Sequence, residues 1–194
     1  MLQKTVFDSR WLSALLRKCS VWFFSINDWE VRGGIPASVT KCVIVAAPHT
    51  RALDLPYALM LAYLFRLRIY WIGKQELFTP LFKKILLWLG GIPIDRSVVS
   101  DKTTFYGNIL KTSSLRLHLV IAPAGARKNL PVREWSTGFY YIALYAEVPI
   151  VLAYLDYAKR CAGMGEVFFP TGNYEEDMKY LEVFYAPYLP KKES

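Results

Sequence analysis

A chain of 194 residues fits one domain and can bury a sizeable core. At 54% hydrophobic and 15% aromatic it is too apolar for a disordered segment and more apolar than a typical soluble domain, so part of its surface is expected to meet something other than water. Twenty-four basic against 16 acidic residues leave a formal charge of +8, which suits nucleic acid, an anionic membrane face or a phosphate-bearing substrate, and charge alone does not choose among them.

The first predicted element is a helix over 9–26. Its apolar residues, among them Trp11, Leu12, Leu15, Leu16, Trp22, Phe23 and Ile26, recur with a period near 3.6, and Arg17 and Lys18 interrupt the stripe. A Trp/Phe/Leu stripe beside basic residues suits a membrane interface, and it equally suits cover for a core. Those same charges, with no small-residue cleavage site after them, argue against a signal peptide. No stretch reaches ~18 uncharged apolar residues, so no transmembrane span is expected. A break follows at Gly33-Gly34-Ile35-Pro36. The expected division is therefore 1–36 as an amphipathic membrane-interface helix with its linker, and 37–194 as the main domain.

Cys42 to Ala47 is a short apolar, β-branched run and reads as a buried strand. The spacing predicts a helix over 55–65 with Pro56 in its first turn, and a strand over 68–72. A helix over 81–89 has Thr79 as N-cap, Pro80 at its first position and Gly90 as its stop. Being apolar almost all round, it implies deep burial or lipid contact. Further on come a helix over 101–115, a strand over 118–122, a helix over 135–146 and a strand over 150–154. A short edge-like strand is expected over 166–169. The last helix starts at Asn173, whose spacing to Glu176 reads as a capping box. Strands alternating with helices make a single α/β domain with a mixed, mostly parallel sheet flanked by helices. Ligands in such sheets bind at the carboxyl ends of the strands.

The first candidate site, His49-Thr50-Arg51-Ala52-Leu53-Asp54, directly follows the strand-like 42–47 run. A neutral imidazole at a strand's carboxyl end can take a proton near pH 7. A carboxylate on its other nitrogen fixes the tautomer and stabilises the imidazolium. Positions five apart share no helix face, so the pairing requires a turn between them. The plainer alternative is that Asp54 caps the next helix and His49 is a loop residue. The three cysteines, Cys19, Cys42 and Cys161, are widely spaced with no CxxC. Neither a disulfide framework nor a zinc site follows, and a reducing compartment does. Cys42 reads as a buried structural thiol. His118 lies outside the motifs and reads as structural. No metal or cofactor is expected.

Three more blocks follow in order. Lys74-Gln75-Glu76-Leu77-Phe78 precedes Leu89-Gly90-Gly91-Ile92-Pro93-Ile94-Asp95-Arg96; then come Ile121-Ala122-Pro123-Ala124-Gly125-Ala126-Arg127 and Val148-Pro149-Ile150. With H-x4-D, these four blocks resemble the four motifs of the glycerolipid (1-acylglycerol-3-phosphate) acyltransferases. The likeness runs from about Val43 to Phe184 and points to a compact bacterial branch. It implies the glycerol-3-phosphate acyltransferase-like fold. It also implies that His49, oriented by Asp54, deprotonates a lysophospholipid hydroxyl, which then attacks the thioester of acyl-CoA or acyl carrier protein. Arg96 and Arg127 match the family's arginines, whose planar forks suit a phosphate. Lys74 is a further phosphate contact, and Gly91 and Gly125 would let backbone approach ligand or simply permit turns. Read alone, each of these cations is equally a solvated surface charge.

One block departs from the pattern. Where the family has Glu-Gly-Thr-Arg, this chain has Ala124-Gly125-Ala126-Arg127, so a carboxylate associated with the acceptor is missing. Another glutamate, such as Glu134, could supply it, or the acceptor could differ. The departure also motivates a second class: a non-enzymatic lipid-binding or membrane-interaction protein on the same fold. No nucleic-acid motif is recognisable, and no nucleic-acid partner is expected. The resemblance and the amphipathic start together place the protein peripherally on the cytoplasmic face of a membrane, the bacterial inner membrane being expected.

Overall fold

Short runs of Val, Ile and Leu buried on both faces are the signature of parallel strands covered by helices on either side. The computed structural model describes residues 3–48, 54–94, 101–125 and 130–189. Its strands are β1 (Glu30–Gly33), β2 (Lys41–Ala46), β3 (Ile69–Lys74), β4 (Gly91–Ile94), β5 (Leu117–Ile121), β6 (Ile150–Asp156) and β7 (Cys161–Phe168). Its α-helices are α1 (Arg10–Ile26), α2 (Asp54–Leu64), α3 (Lys83–Trp88), α4 (Lys102–Thr112), α5 (Gly138–Ala146) and α6 (Tyr174–Tyr185).

The strands form one seven-stranded sheet in the order β1-β7-β6-β2-β5-β3-β4. The five strands from β6 to β4 in that order are mutually parallel, β7 is antiparallel to β6, and β1 runs parallel to β7. Alternation along each strand separates two cores. Val43, Val45, Leu119 and Leu152 face α4, α5 and α6, packing with Leu110, Phe139 and Leu181. Cys42, Ile44, Ile69 and Val151 face the other way, against Ala62 of α2. On that second side α1 packs on α2, with Phe24 and Leu61 in one cluster beside Trp29 and Tyr57.

Several boundaries differ from the sequence expectations for identifiable reasons. β1 (Glu-Val-Arg-Gly) is mostly exposed, so it has no apolar run to announce it, and it lies inside the 1–36 segment as the sheet's edge strand. β4 contains Pro93, which an edge strand tolerates and a central one does not. β7 is twice as long as the 166–169 reading and is not an edge, because β1 covers it. Its first half is hidden in small residues: a Cβ on Gly163 would stand 2.3 Å from the Arg32 carbonyl oxygen. α3 is shorter than expected, and Thr79 does not cap it through its side chain; instead its carbonyl accepts from the amides of Phe82 and Lys83. None of α3 is buried, and Leu81 and Phe82 just before it are 76% and 53% exposed, so deep burial is the alternative that fails. Asn173 caps α6 by accepting from the Glu176 amide.

Candidate active site

The five parallel strands bring their carboxyl ends to one edge of the sheet, and β2 and β5 there run toward the first and third sequence motifs, whereas Val148-Pro149-Ile150 enters β6 at its amino end. β2 leaves the sheet at Ala46, passes a cis Ala47–Pro48 peptide and continues to His49. β5 ends at Ile121 and runs into Pro123-Ala124-Gly125. β3 ends at Lys74 and β4 at Ile94, paired to each other in register. β6 ends at Asp156, followed by Tyr157. His49, Arg96 and Arg127 lie outside the described residues.

Asp54 opens α2 and is 8% exposed. A carboxylate at a helix N-terminus gains from the positive end of the macrodipole. Buried, it also needs hydrogen-bond donors, because an unpaired charge out of water costs several kcal/mol (~3–5). Tyr157 supplies one, donating its hydroxyl to Asp54 Oδ1 at 2.7 Å. The tyrosine is in turn gripped by an aromatic cluster: its ring meets Trp29 edge-on at 5.6 Å and Tyr57 at 5.4 Å. Tyr57, one turn into α2, also meets Phe23 and Phe24 of α1. A strand end and two helices thus fix the aspartate in place. Sequence reasoning missed Tyr157; the available signal was its position directly beyond the β6 strand, where side chains enter the crevice. Beside Asp54 a narrow apolar cavity of about 50 Å³ is lined by Ala46, Pro48, Ala58, Leu61 and Leu155.

The remaining predicted residues divide. Lys74 is exposed at the carboxyl edge. Gly125 has φ +60°, so the residue makes the turn, and a Cβ there would meet nothing within 4 Å among the described residues. Gly91 belongs elsewhere. It begins β4 rather than ending it, roughly 10 Å of strand from the carboxyl edge. A Cβ there would lie 2.7 Å from the Leu86 carbonyl oxygen and 2.8 Å from the Trp71 ring, so this glycine serves packing. Ala124 is 6% exposed and joins the core under α5, so the position of the missing glutamate is closed over by apolar neighbours. Glu134 is exposed in a 3-10 turn at Val132–Glu134, in a loop tied back to this edge by the Ser136 amide on the Pro123 carbonyl at 3.1 Å.

Cys42 offers no ready thiolate. Burial pushes the Cys42 thiol up to about 12, and Cys161 is 8% exposed beside Tyr154. His118 is 3% exposed, with Nδ1 3.1 Å from the Arg68 carbonyl oxygen; burial lowers its pKa, and it sits far down β5 in a structural role. Among the described residues no group of His, Cys, Asp and Glu could hold a metal ion.

Residues 28–155, two thirds of the chain, match the family described as Acyltransferase. The chain belongs to the acyltransferase family. Its fold is similar to the crystal structure of the 1-acyl-sn-glycerophosphate (LPA) acyltransferase, PlsC, from Thermotoga maritima, with a TM-score of 0.63 and 20% sequence identity over 90% of this chain and 77% of that one. None of the curated proteins compared with the chain matches it. The family match contains the carboxyl ends of β2, β3, β4 and β5 and stops one residue short of the end of β6, just before Tyr157.

Proposed function

We propose that the protein transfers a fatty acyl chain from an acyl thioester, acyl-CoA or acyl carrier protein, to the hydroxyl of a lysophospholipid such as 1-acylglycerol-3-phosphate. One observation carries the reading: Asp54, five residues after His49 in the sequence, is a buried carboxylate held by Tyr157 at the edge where β2 ends. Solvated caps have no need of such a grip.

In this reading His49 takes the proton from the acceptor hydroxyl while Asp54 stabilises the imidazolium. The acceptor oxygen bonds to the thioester carbonyl carbon, the C–S bond breaks, and the leaving thiolate recovers the proton from His49. No acyl-enzyme is required, which fits a site without an activated thiol. Arg96, Arg127 and Lys74 anchor phosphate, and Gly125 gives backbone access. Base catalysis contributes about 100- to 10,000-fold, so His49→Ala should lose at least about 100-fold against a panel of lysolipid acceptors with one acyl-CoA. Equal rates for the variant and the wild type would remove His49 from the mechanism.

The same reading puts the protein peripherally on a membrane, on the cytoplasmic face, with residues 1–36 as its interface segment. Trp11 (91% exposed), Leu15, Trp22 and Ile26 form an outward stripe on α1, and Leu81, Phe82, Ile85 and Trp88 make a second exposed apolar surface around α3 beside Lys83 and Lys84. No described helix is long and apolar enough to cross a membrane. The buried alanine at 124 favours keeping a second reading, a lipid-binding protein without turnover. Release of thiol from acyl-CoA in the presence of lysolipid separates the two.

A further inference from the structure

At the opposite end of α2 from Asp54, a cleft of about 500 Å³ lies between α1 and the turn from α2 into β3. Five cations line it: Arg10, Arg17 and Lys18 from α1, and Arg66 and Arg68 from the turn. Against them stands one carboxylate, Asp8, which is already engaged by the Thr5 amide at 2.7 Å and by Arg68 at 2.7 Å. A helix's carbonyl end attracts cations, and Arg17 Nε does reach the Leu64 carbonyl at 3.4 Å. That need is met by one arginine and does not account for five.

Two donors in the cleft wait for an acceptor. Tyr63 Oη and Arg68 Nε are buried and have no hydrogen-bond partner among the described residues. Tyr63 is 6% exposed, lines the cleft and is fixed by its ring contact with Phe7 at 5.0 Å. Burial pushes its hydroxyl up to about 12, so it remains a donor at neutral pH. Buried polar atoms in folded proteins are nearly always satisfied, and an anion's oxygens are the kind of acceptor that these donors lack.

The position on α1 says where the anion comes from. At roughly 100° per residue, Trp11, Leu15, Trp22 and Ile26 share one stripe, Arg10 and Arg17 lie about a third of a turn around, and Lys18 falls between. The cleft therefore opens on the flank of the apolar stripe, where the headgroups lie when that stripe is sunk in a bilayer.

We infer that this cleft seats the phosphate of an anionic phospholipid headgroup, docking α1 on the membrane at a site separate from the catalytic crevice. The inference rests on the membrane-surface reading given above, but its test uses no acyl donor, so it stands or falls independently of turnover. The full-length protein is sedimented with vesicles of phosphatidylcholine alone, or with about one third phosphatidylglycerol. The wild type should bind the anionic vesicles at least about tenfold more tightly. Arg17→Gln/Arg66→Gln should remove most of that gain, whereas the charge-matched pair Lys111→Gln/Lys179→Gln, on the opposite helical layer, should cost about twofold. Tyr63→Phe changes no charge and keeps the ring; it should weaken anionic binding about three- to tenfold, leave phosphatidylcholine binding unchanged and not lower the melting temperature. Equal losses for the two charge pairs, or wild-type binding by Tyr63→Phe, would overturn the site. Inorganic phosphate is the final arm. If it stabilises the wild type but not Tyr63→Phe while vesicle binding is identical for the two, the cleft takes a free anion and the lipid assignment is wrong.

Discussion

Replacing Tyr157 by phenylalanine removes the hydroxyl that grips the aspartate of the proposed catalytic pair. The ring contacts with Trp29 and Tyr57 survive, and the hydroxyl that meets Asp54 at 2.7 Å is deleted. A hydrogen bond to a charged group is worth about 1.5–3 kcal/mol. Asp54 keeps further interactions, so the lower figure applies. For a chain of this size about 1.5 kcal/mol corresponds to a fall in melting temperature of roughly 3–6 °C. The same energy, expressed as lost orientation of the base, is about tenfold in kcat. KM should stay within about twofold, because in this reading the tyrosine touches Asp54 and not the acceptor. The assay is thiol release with saturating acyl-CoA, run on Tyr157→Phe, Asp54→Asn and the double variant. If the tyrosine works through the aspartate, its effect shrinks to under about twofold once Asp54 is asparagine. A full tenfold loss in that background would mean Tyr157 acts on something else, and the positioning argument would be wrong.

Gly91→Ala forces a methyl group against the Leu86 carbonyl and the Trp71 ring, so it should cost about 1–3 kcal/mol in a denaturant melt while leaving KM for acceptor unaltered; a raised KM with undisturbed stability would return Gly91 to the substrate site. His118 is held neutral by burial, its pKa lowered from 6.5. The unfolded chain therefore binds a proton there that the folded chain does not, and stability is lost as pH falls below about 6.5, by up to about 1.4 kcal/mol per pH unit. His118→Gln should flatten that part of the stability curve, and parallel curves for the two proteins would count against it. Trp11→Ser/Trp22→Ser removes two exposed indoles without changing charge. Partial insertion worth about 2 kcal/mol for the pair predicts a roughly 30-fold loss of vesicle binding, and an unchanged partition would mean that α1 does not enter the bilayer.

What could be read from the sequence followed the strength of local signals. β2, β5 and β6 are β-branched runs buried on both faces, and no helix period competes with that pattern. α1 carried a clear helical period, and α6 carried a start signal in its Asn173 cap. β1 and the first half of β7 were silent for complementary reasons. One is exposed, and the other is built of Ala and Gly because Arg32 and Phe184 press on its backbone. Their pairing is long-range and leaves no periodicity in either segment. The site was half legible. The motifs marked Asp54, but the residue that holds it is 103 positions away, and nothing in a tyrosine after a strand announces a carboxylate partner. Gly91 was misplaced because a motif is linear, whereas the start and the end of a four-residue strand lie at opposite edges of the sheet.

The helix α2 links the two functional ends of the molecule. Asp54 opens it, and Tyr63 lies nine residues further on. At 1.5 Å per residue the proposed catalytic carboxylate and Tyr63 in the cationic cleft are about 14 Å apart along one rigid element. On the proposed function, an enzyme that meets its lysolipid acceptor at a bilayer must hold its base at a set height above the headgroups, since a reacting oxygen misplaced by ~1 Å can cost about 100-fold. A loop between anchor and base would leave that height loose. A three-turn helix, clamped by α1 on its flank and by Tyr157 at its first residue, does not. The arrangement also explains why α1 and the acyltransferase core cannot be treated as anchor and passenger. Phe23 and Phe24 of α1 pack on the same Tyr57 that steadies Tyr157, so a shift of α1 is felt at Asp54 through three contiguous rings.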